Sequence, residues 1–415
     1  MFFISLLLAV LSLQRHAALA LSPQFIDCQL QKSANVSPLS GCPQGTIFVS
    51  QTDKRAAFTS IQAAVESLPP TGDAIILIGQ GVYQEIVNVS RTAPLTLLGQ
   101  LPSSARAKLS QPFANATSAN LNLVQVFGTV FDVTGQDDDT TAVLTVAPNA
   151  PGALIGAGTD GAPLQPVFGN VDFKAYNIDW QNRAANFAIS QALVTDISYS
   201  NASFYGCSFA SYQDTWYTGR NASTYVVDSV IFGQTDYLFG FGTAWFQNVI
   251  LANRACGGGL VAWKGNNQTF APGNRYGAYI SDSQVIRSPE ANATTVTTGK
   301  CFLGRPWNDD AITVYLNTFM DASINAVGFI PFDSARPVIM NTTFYAEFNS
   351  TGKWLSSSQF SLFIIPFVQT GPGGNTSGRT PVEHILNATT LAAGDFTIDG
   401  VFLEHPQWID FDYLF

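Results

Sequence analysis

The chain has 415 residues, 46% hydrophobic and only 12% charged, with 19 Lys and Arg against 29 Asp and Glu for a net charge of −10. Such a composition excludes a disordered or polyelectrolyte chain, since an average soluble protein is roughly 25% charged and Ser, Thr, Asn, Gln and Gly here take the place of charge. The acidic balance argues against nucleic acid as a partner, and a chain well beyond ~300 residues suits an extended or repetitive fold better than one compact core.

The apolar run Ile4 to Leu13, followed by Ala18-Leu19-Ala20, reads as a secretory signal peptide over residues 1–20. It is about half of the ~20 residues that span a bilayer, and no second span or apolar C-terminal tail follows, so no membrane association is expected. Loss of Arg15 with the signal takes the net charge from −10 to −11. Residues 21–44 then read as an N-terminal extension and 45–415 as one domain. Eleven N-x-S/T sequons, at Asn35, Asn88, Asn115, Asn201, Asn221, Asn267, Asn292, Asn341, Asn349, Asn375 and Asn387, fit a glycosylated, secreted surface. The five cysteines are an odd number, so at least one is unpaired or paired between molecules; Cys28 with Cys42 and Cys256 with Cys301 are the pairings considered. The absence of a C-x-x-C pair argues against structural zinc.

One helix is predicted early, at Ser60 to Leu68, where Ile61, Ala64, Val65 and Leu68 fall at helical spacing and Pro69-Pro70 stops the run. Beyond it come short β-branched and aromatic runs punctuated by Gly, Asn and Asp. Ser203 to Phe209 aligns with Tyr225 to Ile231 at an offset of 22, and related segments occur at Asp172 to Ile178, Trp245 to Leu251 and Tyr279 to Val285. Repeats of this size, stacked ~4.8 Å apart with loops of unequal length between them, predict a parallel β-helix.

The register carries a chemical consequence. At the offset of 22, Cys207 falls on Ser229, Phe209 on Ile231 and Asp214 on Asp236, which places two carboxylates at equivalent positions of adjacent coils. An Asp after a strand is commonly a turn residue; a matched pair flanked by aromatics raises the catalytic alternative beside it. Cys207, between Phe204 and Phe209, reads as a buried structural thiol, with no His or Lys nearby to make a thiolate. Only His384 and His405 remain outside the signal, and there is no G-x-S-x-G elbow or H-E-x-x-H motif, so the chemistry expected runs on carboxylates.

In family order, several blocks resemble those of the pectin methylesterases (pectinesterases, carbohydrate esterase family 8). Phe58-Thr59-Ser60-Ile61-Gln62-Ala63-Ala64-Val65 is similar to the opening helix, Gly81-Val82-Tyr83-Gln84-Glu85 to G-x-Y-x-E, and Gln191-Ala192-Leu193 to a glutamine-bearing block. Tyr212 to Tyr217 resembles Q-D-T-L-Y, Gly233 to Gly240 resembles G-T-V-D-F-I-F-G, Phe302 to Trp307 resembles Y-L-G-R-P-W, and Tyr345 to Phe348 the late Y-A-E-Y block. The likeness covers about residues 45–350. It lacks the helical pro-region of many plant members, and Gly257 to Gly265 looks most like the fungal branch.

The resemblance implies an all-β, single-domain, right-handed parallel β-helix with a short N-terminal helix and long loops forming a cleft. It implies that Asp236 is the nucleophile, Asp214 the acid/base, Arg305 the partner of Asp236, and Gln213 and Gln191 donors to the oxyanion. Trp307, Trp216 and Tyr237 are the implied platforms for sugar rings. No metal or organic cofactor is implied. The expected partner is methyl-esterified homogalacturonan, attacked by a secreted monomer, with a preference for highly methylated chains that carry little charge to be repelled. Trp216, Tyr237-Leu238, Trp263 and Phe329 depart from the usual residues, which puts the sugar subsites in question. A polygalacturonase or pectate lyase is the nearest enzymatic alternative, although the first needs a histidine that the central coils lack. A non-catalytic cell-wall polysaccharide-binding β-helix is the alternative of another class. In the tail, Ser357 to Val368 and Phe396 to Leu403 are read as strands or packing segments closing the end of the coil.

Overall fold

The computed structural model describes residues 22–103, 118–265, 276–352, 374–392 and 396–413. One local device recurs at the end of successive strands. The strands ending at Tyr176, Tyr205, Val227, Gln247, Ser281, Leu316 and Phe348 are each followed by a single residue, Asn177, Gly206, Asp228, Asn248, Asp282, Asn317 or Asn349, with φ between 48° and 60°. Left-handed backbone costs an ordinary residue roughly 1–2 kcal/mol, while Gly pays nothing and Asn and Asp offset part of it by local hydrogen bonding. These seven positions, occupied by those three residue types alone, turn the chain through the same corner in each coil.

The described strands form three parallel sheets of 11, 7 and 8 strands, wound into a parallel β-helix. The offset of 22 is the observed register: Ser203 pairs with Tyr225, Phe209 with Ile231 and Trp216 with Leu238. Cys207 N–H donates to Ser229 Oγ at 3.0 Å, as that alignment requires. The five repeated segments contribute neighbouring strands of the largest sheet, from Phe173–Tyr176 to Gly277–Ser281. Their inward side chains form one continuous apolar core, which includes Phe204, Cys207 and Phe209. Cys207 is the free thiol, and burial pushes its pKa up to about 12.

The early helix, Ile61–Glu66, covers the first coil with Ile61, Ala64 and Val65 buried. Its N-cap Ser60 accepts from Ala63 N–H at 3.2 Å. Glu85 closes the same end: its carboxylate accepts from Ser60 Oγ at 2.8 Å and from the N–H groups of Ile61 and Gln62 at 3.2 and 3.1 Å. The acid of the G-x-Y-x-E block is therefore a helix cap, stabilised by the helix-end donors.

A second apolar layer lies outside the largest sheet, where Tyr176, Tyr205, Tyr225, Trp245 and Tyr279 meet Phe25, Trp408, Ile409 and Tyr413. Ser203 Oγ donates to the Trp408 carbonyl at 3.1 Å and Tyr176 Oη to Asp410 at 2.8 Å. The tail is thus a packing segment along the flank of the coil rather than a closure of its end, and Phe396 to Leu403 holds a short helix, Ile398–Phe402, in place of a strand. Three apolar residues of that stretch, Phe396, Ile398 and Phe402, pack on the outer aromatic layer. The expectation for Ser357 to Val368 lies outside the described residues. Both expected cysteine pairs are formed, Cys28–Cys42 and Cys256–Cys301. Seven sequon asparagines, Asn35, Asn88, Asn292, Asn341, Asn349, Asn375 and Asn387, are exposed, Asn201 and Asn221 are half-buried, and Asn115 and Asn267 lie outside the described residues. Among the described residues no helix is long and apolar enough to cross a membrane.

Candidate active site

Strand parity on the seven-stranded sheet decides which side chains face the cleft. Trp216, Leu238 and Val261 form one paired row and Tyr217, Phe239, Ala262 and Arg305 the next. The first row points into the coil interior. The second points outward, where Tyr217, Phe239 and Ala262 are covered in part by Trp307. A parallel strand presents alternate residues to opposite faces, so this division follows from the period of two.

Asp214 and Asp236 sit at the corner that feeds this sheet. Gln213 bridges Thr235 in parallel, Asp214 N–H donates to the Thr235 carbonyl at 3.1 Å, and Asp236 N–H donates to the Gly259 carbonyl at 2.7 Å. Both aspartates have left-handed backbone, φ 58° and 48°, so the turn role and the paired-carboxylate role fall on the same residues. They are 8% and 7% exposed, which removes most of the water that would otherwise screen one carboxylate from the other.

Arg305 distinguishes them. Its Nε donates to both Asp236 oxygens at 2.9 and 3.1 Å, its Nη2 reaches Oδ2 at 2.5 Å, and Gly259 N–H adds a bond to Oδ1 at 3.1 Å. Asp214 has no such support: its Oδ1 is buried without a hydrogen-bond partner among the described residues. Burial, then the charge of Asp236, then that of Asp138, push the Asp214 pKa well above the carboxylate range, and Arg305 offsets this only in part. One carboxyl is held and oriented by a guanidinium while its neighbour favours the protonated form, the division an acid/base pair requires.

Gln213 and Gln191 are both half-buried at this corner. Ala192 N–H donates to the Gln213 carbonyl at 3.2 Å, placing the Gln191 segment one coil before Gln213. The Gln191 amide oxygen accepts from Ser190 Oγ at 2.7 Å, which leaves the amide N–H groups as donors. Trp307, two residues beyond Arg305, is half-buried against Phe239 with ring centroids 5.7 Å apart.

Trp216 and Tyr237 are not platforms. Each is 0% exposed within the inner core. Trp216 Nε1 donates to Thr218 Oγ1 at 2.9 Å and Tyr237 Oη to Asn253 at 2.8 Å, so even their polar atoms face inward. The departures at Trp263 and Phe329 also lie in that core, with Phe329 stacked on Tyr345 at 3.9 Å. These substitutions repack the interior and leave the cleft surface to other residues.

Four contributors escape a reading of the sequence. Phe332 lies between the Arg305 and Arg336 guanidiniums, 4.5 and 4.0 Å from its ring centroid, and its carbonyl accepts from Arg305 Nη1 at 2.6 Å. A Cβ on Gly258, φ +58°, would lie 3.0 Å from both Asp236 Oδ1 and Arg305 Cζ. Asp138, opening the 3-10 helix Asp138–Thr141, has its pKa pushed up to about 7 by burial and by Asp132, Asp137 and Asp139. Lys264 is fully buried beside Trp307. Only the run Gly257-Gly258-Gly259 offered a local signal; Phe332 and Asp138 reach the site from distant loops, and Lys264 follows the strand Gly259–Trp263.

The pectinesterase family model matches residues 166–396, a span that holds both aspartates, Arg305 and Trp307. A probable pectinesterase A of Aspergillus fumigatus is 27% identical over 391 residues, 92% of this chain and 95% of that protein. A probable pectinesterase/pectinesterase inhibitor of Arabidopsis thaliana is 25% identical over 88% of this chain, and the match spans 52% of the plant protein. Among solved structures, the pectin methylesterase of Aspergillus niger has a TM-score of 0.65 at 21% identity, covering 89% of this chain and 98% of that one. The carrot enzyme has a TM-score of 0.63 at 20% identity, covering 90% and 95%.

Proposed function

The chain belongs to the pectinesterase family, and from that premise we propose that it is a secreted carboxylic ester hydrolase that removes methyl esters from homogalacturonan. The observation that carries the proposal is the pair Asp214 and Asp236, one coil apart, with Arg305 on the second alone. An Asp236 oxygen attacks the ester carbonyl carbon, and the Gln213 and Gln191 amides donate to the oxyanion that forms. A positioned amide donor contributes about 3 kcal/mol to lowering such a barrier. Collapse breaks the bond to the methoxy group, and Asp214 gives that oxygen its proton, so methanol leaves and an acyl-enzyme anhydride remains. Asp214, now ionised, takes a proton from water as the water attacks the anhydride. The products are a galacturonic acid carboxyl, which ionises by releasing one proton to solvent, a regenerated Asp236 carboxylate and a reprotonated Asp214.

Glutamine suits the oxyanion role because it donates hydrogen bonds without adding charge beside two carboxylates. Trp307 is the platform for a pyranose ring next to Arg305. Exposed sequons support secretion and glycosylation, and two disulfides fit an oxidising compartment. The net charge of −10 favours methylated, uncharged stretches over free galacturonate. The test is product analysis on highly methylated pectin. Methanol without chain shortening and without unsaturated product supports the reading; ultraviolet-absorbing ends or shorter chains turn it toward a lyase or glycosidase. No methanol with retained polysaccharide binding turns it toward the non-catalytic alternative.

A further inference from the structure

Lys264 follows the strand Gly259–Trp263 and is 0% exposed. Its Nζ has no hydrogen-bond partner among the described residues. A buried ammonium without acceptors is costly, and its environment must compensate in another way. What Nζ meets is the face of the Trp307 indole, 3.5 Å from the ring centroid, with the Phe241 ring further off at 5.9 Å. The backbone of Trp307 is fixed separately, its N–H donating to the Trp263 carbonyl at 3.0 Å and its carbonyl accepting from Arg336 at 2.7 Å. The remaining freedom is the tilt of the ring. With Lys264 against one face, the opposite face is the one left for a sugar.

We propose that Lys264 is a positioning residue for substrate binding: its ammonium holds the Trp307 ring by a cation–π contact in the orientation that receives a pyranose beside Arg305. The proposal rests on the reading of Trp307 as a sugar platform. It explains why an ammonium is buried with no hydrogen-bond acceptor, since the ring quadrupole supplies the negative surface that Nζ faces.

The same contact makes binding depend on the protonation of Lys264. Burial lowers its pKa to about 7, with Arg220 and Arg336 lowering it and Asp160 and Asp137 raising it. Asp138 is the further carboxyl within its field. Below that value the ammonium holds the ring, and above it the neutral amine releases it.

The test is calorimetric titration of wild type, Lys264→Met and Lys264→Arg with a fully methylated oligogalacturonide, which carries no charge for Asp138 to repel, between pH 5.5 and 8.5, with methanol release followed in parallel. For the wild type, Kd rises about three- to tenfold across one ionisation near pH 7, and at any one pH Lys264→Met raises KM to match while changing kcat by no more than about twofold. Lys264→Met shows the weaker binding at every pH. Lys264→Arg keeps its charge throughout, so its Kd is flat with pH even where Met disturbs folding. Unchanged Kd in Lys264→Met, or the wild-type pH dependence persisting in Lys264→Arg, overturns the proposal. Wild type that binds without releasing methanol defeats the esterase reading, while the Kd comparison still decides the role of Lys264. Failure of the wild type to bind the oligosaccharide overturns this inference as well.

Discussion

Asp214 and Asp236 occupy the same corner of successive coils, both in left-handed backbone, φ 58° and 48°, with Asp214 N–H donating to the carbonyl of Thr235. The pair is therefore built by the turn geometry that also spaces the coils. Asparagine tolerates that geometry and a β-branched residue does not. Asp214→Asn should melt within a few degrees of wild type, whereas Asp214→Val loses roughly 1–2 kcal/mol in chemical denaturation. Equal stability of the Asn and Val variants contradicts the backbone half of this statement.

Gly258 lies where the loop passes closest to the Asp236–Arg305 pair. The Cβ of Gly258→Ala meets both groups at 3.0 Å and also strains a backbone at φ +58°. Displacing Asp236, the proposed nucleophile, by even ~1 Å costs about 10²-fold in turnover. Gly258→Ala should lose kcat by about that factor and keep most of its stability; kcat within twofold of wild type counts against it.

Trp216 and Trp307 separate core from cleft. Trp216→Ala opens a cavity in the inner core and should cost about 3–5 kcal/mol, while Trp216→Phe leaves KM for pectin unchanged. Trp307→Ala should raise KM about three- to tenfold with a far smaller change in melting temperature. A KM effect from the Trp216 substitution restores it as a sugar contact.

Stability should fall as pH rises from about 4 to 7. Burial pushes Asp179 and Asp228 from 3.8 to about 7, and both are 3% exposed or less. The folded chain therefore keeps protons that the unfolded chain has released, and by linkage stability is greatest below the unfolded value and is lost towards the folded one. Asp228→Asn, which also suits φ 50°, should melt above wild type at pH 7.5 and level with it near pH 4. A melting temperature that climbs from pH 4.5 to 7.5 contradicts this assignment.

The coil was legible because its spacing is written in short range. The offset of 22 aligned Phe204 with Val226 and Asp214 with Asp236, and the strands pair that way. The early helix followed from equally local cues, whereas the cysteine pairings carried no local cue beyond their order along the chain. The cleft surface was less legible. Trp216 and Tyr237 flank the aspartates in sequence, yet parity turns Trp216 inward, and the pairing of Tyr217, Phe239 and Ala262 with Arg305 marks the outward row. That parity could have been read from the register. Phe332 and Asp138 could not, because no local pattern says which distant loop folds back onto the site, and Lys264, although it follows a strand of the site's own sheet, carries no local sign that it meets Trp307. The place of the tail was hidden for a related reason: Trp408 and Tyr413 pack on the outward tyrosines of earlier coils, far from them in sequence.

The most direct measurement is methanol release from highly methylated pectin by wild type, Asp236→Asn and Asp214→Asn, each checked for intact folding by its melting curve. The account predicts methanol from the wild type and a fall of about 10³-fold or more in both variants, as removal of a nucleophile or its acid/base partner requires. Either folded variant retaining a tenth of wild-type turnover contradicts the carboxylate pair as the catalytic centre.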